Sequence, residues 1–515
     1  MISEERMWKW FSFIGVFLLI SCSQASESNS ASKDVQGEAA ILIELDTDTK
    51  TVQAFEKLSG AAGEAPARIL IEQEGSTVSG EATFEIAARI LFGPASGTEG
   101  IILKRRYFAP TAYIWEETHD ITWEKLSDLS EKRILPIEEI RPPLKALTID
   151  GKGVDAQDYP LKEDYAAHLE IDTDDPSLKE ELHRWFGKLK ETAGELLSVE
   201  PPALVTVGGV GDMMVGRGIE DALISRGEEG LSYIFSDTLP VLRSQDVLIG
   251  NLEGAVTLGG TKISKSYNFR FRPEVLPRLK EAGFDYLSIT NNHCYDFGSG
   301  GFLDTLDNLE RYEIPTSGAG RTIEEAYRPH TETVTKGGRK TEVRILSVAA
   351  YPREQNGFDG RSRASVNEER PGIIFSGAPA LEAIASFSSD DSIDVVAVHG
   401  GQEWQNYPVE DQVSFYRSCI DSGADLVFGS HPHVLQGMEA YEDGLIAYSL
   451  GNFLFPGMYV MPFAEESLIL SVGFVNGRPL YVRPYPVRID KRRISLDKEG
   501  KILPRFLALS RQLAQ

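Results

Sequence analysis

Three cysteines in 515 residues are too few for a disulfide framework. Cys22 sits at the end of an N-terminal apolar stretch, so Cys294 and Cys419 form at most one bridge, and two unpaired thiols is the better reading. Positive charge is also short: 52 Lys and Arg face 78 Asp and Glu, a formal net charge of −26. That excludes nonspecific nucleic-acid binding, which rests on cations neutralising phosphates. It also excludes a basic patch as the route to anionic lipid headgroups. The apolar run Trp10 to Ile20 is too short to span a bilayer comfortably, which takes ~20 residues of helix. Histidine is scarce as well, with eight in the chain, so where each one falls is informative.

What is present at the start is a short apolar run leading to Leu19-Ile20-Ser21-Cys22 and then a polar Ser-, Asn- and Glu-containing stretch. This resembles a bacterial lipoprotein signal with its lipobox. The resemblance implies that residues 1–22 are a signal and that Cys22 is lipidated. Residues 23–38 then read as a flexible tether, and the protein as extracytoplasmic, held to the membrane of the cell envelope by its lipid. The n-region departs from the usual pattern, because Glu4 and Glu5 offset Arg6 and Lys9.

Residues 39–200 mix strand-like runs, "AAILIEL" and "ARILIEQ", with helical patterns, and predict a smaller α+β accessory domain. "DITWEKLSDLSEKR" predicts a helix over 120–133 with Asp120 or Thr122 as N-cap, and "DPSLKEELHRWFGKLKETAGELL" a strongly amphipathic one. Pro201-Pro202 predicts the domain boundary. From residue 203 the pattern changes to α/β: "ALVTVGGV", "DVLIGN", "FDYLSIT", "EVRILSVAA", "DVVAVHG", "DLVFGS" and "LIAYSLG" predict strands. Helices are predicted between them, as in "RPEVLPRLKEAG", "GGFLDTLDNLERY" and "EDQVSFYRSCIDSG".

The polar residues that follow these strands carry the chemistry. The strands run out into Asp212; Asn251 and Glu253; Asn291, Asn292 and His293; His399; His431 and His433; and Asn452. Ligands in open α/β sheets bind beyond the carboxyl ends of strands, so these side chains are expected to converge. A single polar residue there is ordinary turn chemistry. Four of the eight histidines grouped with two carboxylates point instead to a metal site. His431 and His433, read as one extended segment, would place both rings on one face. Imidazole, carboxylate and amide oxygen together suit one or two divalent ions of Mn, Fe or Zn rather than Cu(I) or Ca.

The motifs "GDMMVGRGIE", "NLEGAVT", "TNNHCYDFGSGGFLDTLDNL", "VHGGQEW" and "GSHPHVLQGMEAYEDGLIAYSLGNFLF" stand in consistent order. Together they resemble the CapA-type capsule (poly-gamma-glutamate) biosynthesis family, itself similar to the calcineurin-like metallophosphatases. The resemblance implies a two-sheet β-sandwich flanked by helices over residues 203–480, with 481–515 a tail packing on it. It implies Asp212, Glu253, Asn292, His399, His431 and His433 as metal ligands, with Asn251 a rival to Glu253. It further implies His293 as the acid/base. Asp296 orients His293 or caps the next helix; Arg217 holds an anionic group or pairs with Glu220; Glu403 and Trp404 line a substrate groove, or Trp404 is structural. Met214 stands where metallophosphatases carry a histidine. The implied function is a metal-dependent hydrolase or transferase acting on a capsule or envelope polymer, alongside other capsule synthesis or export proteins. The alternative is a non-catalytic polymer-binding or export component whose metal site is structural or vestigial.

Overall fold

The computed structural model describes residues 39–45, 65, 68–73, 85–94, 101–129, 133–196, 201–354 and 357–514. The expected signal, Cys22 and the tether lie outside these residues. Among the described residues, no helix is long and apolar enough to cross a membrane. The chain divides into two compact units, with breaks after Phe92, Ala166 and Thr192.

In the smaller unit, β1 (Ala39–Leu45) pairs in parallel with β2 (Arg68–Gln73) and with β3 (Glu85–Pro94). The expected amphipathic helix forms as α1 (Pro176–Leu196). The larger unit takes in residues 93–166 together with everything from Ala193 onward, so the division in space does not follow Pro201-Pro202. Tyr107, Ile140, Ile149 and Tyr159 share a buried cluster with Val475 and Leu480, and the Val154 N–H donates to the Tyr481 hydroxyl at 3.0 Å. The helix expected over 120–133 does not form. Asp120–Ile121 is a short strand and Trp123–Asp128 a 3₁₀ turn. The reason is competition: the Asp120 carboxylate takes the Thr148 hydroxyl and the Gly151 N–H instead of capping, while Asp150 takes the Trp123 N–H.

The rest of the larger unit is mixed α/β. In chain order its main strands are β4 (Leu204–Met213), β5 (Val247–Leu252), β6 (Tyr286–Ser288) and β7 (Arg339–Ala350). They continue as β8 (Ser392–Gly400), β9 (Leu426–Ser430), β10 (Gly444–Ala447) and β11 (Asn452–Leu454). β12 (Glu466–Val475) and β13 (Arg478–Asp490) close the set. One sheet contains β6-β5-β4-β12-β13 in that order, with β11 also beside β4; the other contains β7-β8-β9-β10, all parallel. The crossovers carry α2 (Ile219–Phe235), α3 (Val275–Ala282), α4 (Gly298–Arg311) and α5 (Glu410–Asp421). The C-terminal α6 (Ile502–Leu513) donates Phe506 and Leu507 to the same core.

Every residue of β5 and of β8 is buried, which is why residues 247–250 and 395–398 read as continuous apolar runs. Val207, Leu470 and Val472 from the first sheet share one buried cluster with Ile345, Val395 and Phe428 from the second. Gly209 permits that contact, because a Cβ there would lie 2.7 Å from the Phe428 ring. Gly211 permits another: a Cβ would come 1.9 Å from the Gly451 carbonyl oxygen, whose partner is the Asp212 N–H.

An aspartate stands immediately before several strands and clamps the start of its neighbour. Asp246 accepts from Thr206 N–H, Asp285 from Leu248 N–H, and Asp425 from Asp394 N–H, at 2.7, 2.8 and 2.7 Å. Burial raises Asp285 to about 6 and Asp425 to about 7. The folded protein therefore keeps the Asp425 proton across a pH range in which the unfolded chain, with an ordinary carboxyl near ~4, has released it. Stability from this group is full below pH ~4 and is lost as pH rises through about 7. Denaturant melts from pH 5 to 8 are expected to show Asp425→Asn gaining on the parent as pH rises, by on the order of 1–3 kcal/mol. A constant difference across that range would refute the assignment.

Candidate metal centre

The carboxyl ends of β4, β5, β6, β8 and β9 meet, and their polar residues do converge. Asp212, Glu253 and His399 place ligand atoms within 4.8 Å of one another, all buried. His431 Nδ1 lies 3.1 Å from His399 Nε2, which is itself 3.2 Å from Asn292 Oδ1. His433 Nδ1 lies 2.9 Å from Asn452 Oδ1 and 3.1 Å from Asp212 Oδ2, so that nitrogen carries the proton and Nε2 is directed elsewhere, 3.8 Å from Glu253 Oε1. Asn251 and Glu253 part company here. The Asn251 amide donates to Asp212 Oδ1 at 2.8 Å and accepts from Asn291, whereas neither oxygen of Glu253 has a hydrogen-bond partner.

A fully buried carboxylate with both oxygens unpartnered is costly unless a cation answers it. The residues therefore fit a divalent ion: two carboxylates, three imidazoles and an amide oxygen. When bound, such an ion supplies Lewis-acid chemistry at an oxyanion. The local field favours positive charge. Burial and the Asp212 charge raise Glu253 well above the usual carboxylate range. Although burial pulls it down, Glu253 and Asp212 push His433 up to about 9. Burial and neighbouring histidines hold His399 and His431 well below the ordinary value, so these two are neutral and available as donors.

The H-x-H pair is not extended, contrary to expectation. His431 has φ 101° and His433 φ 59°, both left-handed, in a bend after β9. The bend is held from both sides: the Trp404 N–H donates to the Pro432 carbonyl at 2.9 Å, and the His431 N–H donates to Asp212 Oδ2 at 3.2 Å. Such backbone costs on the order of 1–3 kcal/mol per residue, and it persists where the surroundings impose it. The half-buried Trp404 packs its ring 5.3 Å from that of His433.

His293 stands beside the cluster. Its Nδ1–H donates to Asp296 Oδ2 at 2.6 Å, leaving Nε2 facing Glu253 Oε1 at 3.6 Å. Burial and the Lys265 charge lower its pKa, so the ring rests neutral with Nε2 able to take up a proton. Asp296 also accepts the Phe269 N–H, and the Phe269 ring covers His293 at 4.1 Å. Arg217 does not pair with Glu220, which binds Arg272 instead; it is exposed, donates to the Pro456 carbonyl and lies over the Phe269 ring. Glu403 is half-buried and close enough to act on Glu253 and His433. Met213 and Met214 pack in the core, and Cys294 and Cys419 are free and buried. Sequence reasoning missed Lys265, Phe269 and Ser430, whose hydroxyl lies 3.0 Å from His399 Nδ1, as parts of this centre. Asn452 was visible at a strand end but received no role.

The chain's similarity to other proteins falls on this same region. The family model of the bacterial capsule synthesis protein PGA_cap matches residues 206–457. The chain is 31% identical over 257 residues to the capsule biosynthesis protein CapA of Bacillus anthracis, covering 48% of this chain and 58% of that protein. It is 30% identical over 278 residues to the PGA biosynthesis protein CapA of Bacillus subtilis (strain 168), covering 53% of this chain and 68% of that one. A solved structure, TT1561 of Thermus thermophilus, matches with 10% identity over 53% of this chain and all of its own, at a TM-score of 0.29, too slight a likeness to bear on the fold.

Two outcomes are expected of the centre. Replacing Glu253 by Ala is expected to weaken binding of Mn²⁺ by roughly 100-fold or more, read by calorimetry on metal-stripped protein. Because the carboxylates hold His433 protonated up to about 9, metal uptake at neutral pH is expected to release a proton. Affinity should therefore rise with pH, and the heat of binding should vary with the ionisation enthalpy of the buffer. A buffer-independent heat would contradict this.

Proposed function

The chain belongs to the bacterial capsule synthesis protein family, within the metallophosphatase-like superfamily, and from that premise we propose that it is a metal-dependent hydrolase or transferase acting on a capsule or envelope polymer. The observation that carries the proposal is the His293–Asp296 pair, locked at 2.6 Å and aimed at the unpartnered Glu253. Asp212, Glu253, Asn292, His399, His431 and His433 hold the ion, and the strands behind them form the two-sheet β-sandwich of the superfamily. His293 takes or gives a proton at Nε2, while Asp296 fixes the tautomer and steadies the charged ring. Arg217 and Glu403, at the margin, meet the substrate.

The same proposal places the protein outside the cytoplasm, held by a lipid on Cys22, with other capsule synthesis or export proteins as partners. Two of the similar proteins carry capsule or PGA biosynthesis in their names, and that supports the polymer assignment. A purely structural ion would not need a histidine poised beside it through a carboxylate, and this favours the catalytic reading over a binding-only one.

The test is turnover of phosphodiester and gamma-glutamyl model substrates by the metal-loaded protein. His293→Ala is expected to lose kcat by roughly 10²–10⁴-fold while retaining its metal. Equal turnover by parent and variant would remove His293 from the chemistry, and no turnover of either substrate class by the parent would favour the non-catalytic reading.

A further inference from the structure

Lys265 lies between β5 and α3 in "TKISKSYNF", a stretch without periodic pattern, yet its side chain is only 1% exposed. A buried ammonium needs a partner for each of its three N–H groups. Lys265 finds three: the Asn292 carbonyl at 2.7 Å, Glu354 Oε1 at 2.7 Å and Asp296 Oδ1 at 3.1 Å. The Phe358 ring covers it at 4.9 Å.

Each acceptor leads to a different part of the centre. Asp296 uses its other oxygen to hold His293 Nδ1. Glu354 Oε1 also accepts from the Asn292 side-chain amide at 3.3 Å, which turns Asn292 Oδ1 toward His399. The third contact ties down the backbone carbonyl of Asn292, directly between the two side chains. Asn292 and His293 are neighbours in sequence that face different tasks, and one ammonium sets the orientation of both.

We infer that Lys265 is a positioning residue that fixes the Asn292 amide oxygen toward the ion and the His293 ring toward the reacting group. This rests on the roles proposed above for Asn292 and His293. Were Lys265 present only to neutralise Asp296 and Glu354, its loss would lower stability and leave the affinity for metal and the chemistry alone.

The experiment is calorimetry with Mn²⁺ on metal-stripped full-length protein, parent against Lys265→Met, together with thermal melts. A folded Lys265→Met protein is expected to bind Mn²⁺ about 10–100-fold more weakly, as for loss of other groups that orient metal ligands. Affinity within twofold of the parent, whatever the melting temperature, overturns the inference. Should Lys265→Met not fold, Glu354→Ala carries the same test from a side chain that is 13% exposed, with the same expected loss. On any phosphodiester that the parent turns over, both variants are expected to lose kcat with KM within about twofold; unchanged kcat in a folded variant counts against the inference. A parent that binds Mn²⁺ but turns over nothing sinks the proposed chemistry, and the positioning role is then decided by the affinities alone.

Discussion

Two buried carboxylates, Asp212 and Glu253, are the constraint around which the larger unit is organised. Both are fully buried at the carboxyl ends of adjacent strands, close enough to raise each other's energy. Burying such a pair is unfavourable unless hydrogen bonds and positive charge are supplied. Asp212 has its supply within the protein, from the Asn251 amide, the His431 N–H and the His433 ring. Glu253 has no hydrogen-bond partner and only the nearby His433 and Lys265 charges, which leaves its oxygens for an ion. The strained bend at His431 and His433 and the close approach at Gly211 both hold groups in place around Asp212.

The fold meets the requirement by bringing together the carboxyl ends of strands from two sheets. Asp212, Glu253 and Asn292 belong to the first sheet and the loops that follow it; His399, His431 and His433 belong to the second. The group that could hold a metal, Asp212, Glu253 and His399, draws on both sheets. The packing of Gly209 against Phe428 holds the two in register only a few residues from the centre, so core packing and site geometry are a single matter here. At the opposite ends of the strands, Asp246, Asp285 and Asp425 pin neighbouring strand starts. The aspartates on the two ends therefore do different work: structural clamps at one, charge collection at the other.

Most of the centre was legible because each donor follows a strand whose apolar run is easy to see. Asp212 after "ALVTVGGV", His399 in "DVVAVHG" and His431 after "DLVFGS" are examples, and parallel strands bring such ends together. What was not legible depends on contacts between distant segments. The 120–133 helix failed because Asp120 and Asp150 bond across a loop. Lys265 carries no local signal, since its three acceptors come from the Asn292–Asp296 loop and from Glu354. The choice between Asn251 and Glu253 also lay beyond the sequence, which offers both at the same strand end.

The sequence by itself determined which polar residues stand at the strand ends, because strand periodicity and the chemistry of Asp, Glu, Asn and His are local properties. It also determined the family, through motifs whose order survives without reference to space. Only the tertiary structure decided which of those side chains spend their hydrogen bonds on one another and which are left for an ion. That outcome is set by the packing of two sheets and by backbone bends such as the one at His431 and His433. The unpartnered oxygens of Glu253 and the three-way seat of Lys265 follow from distances between segments far apart in the chain.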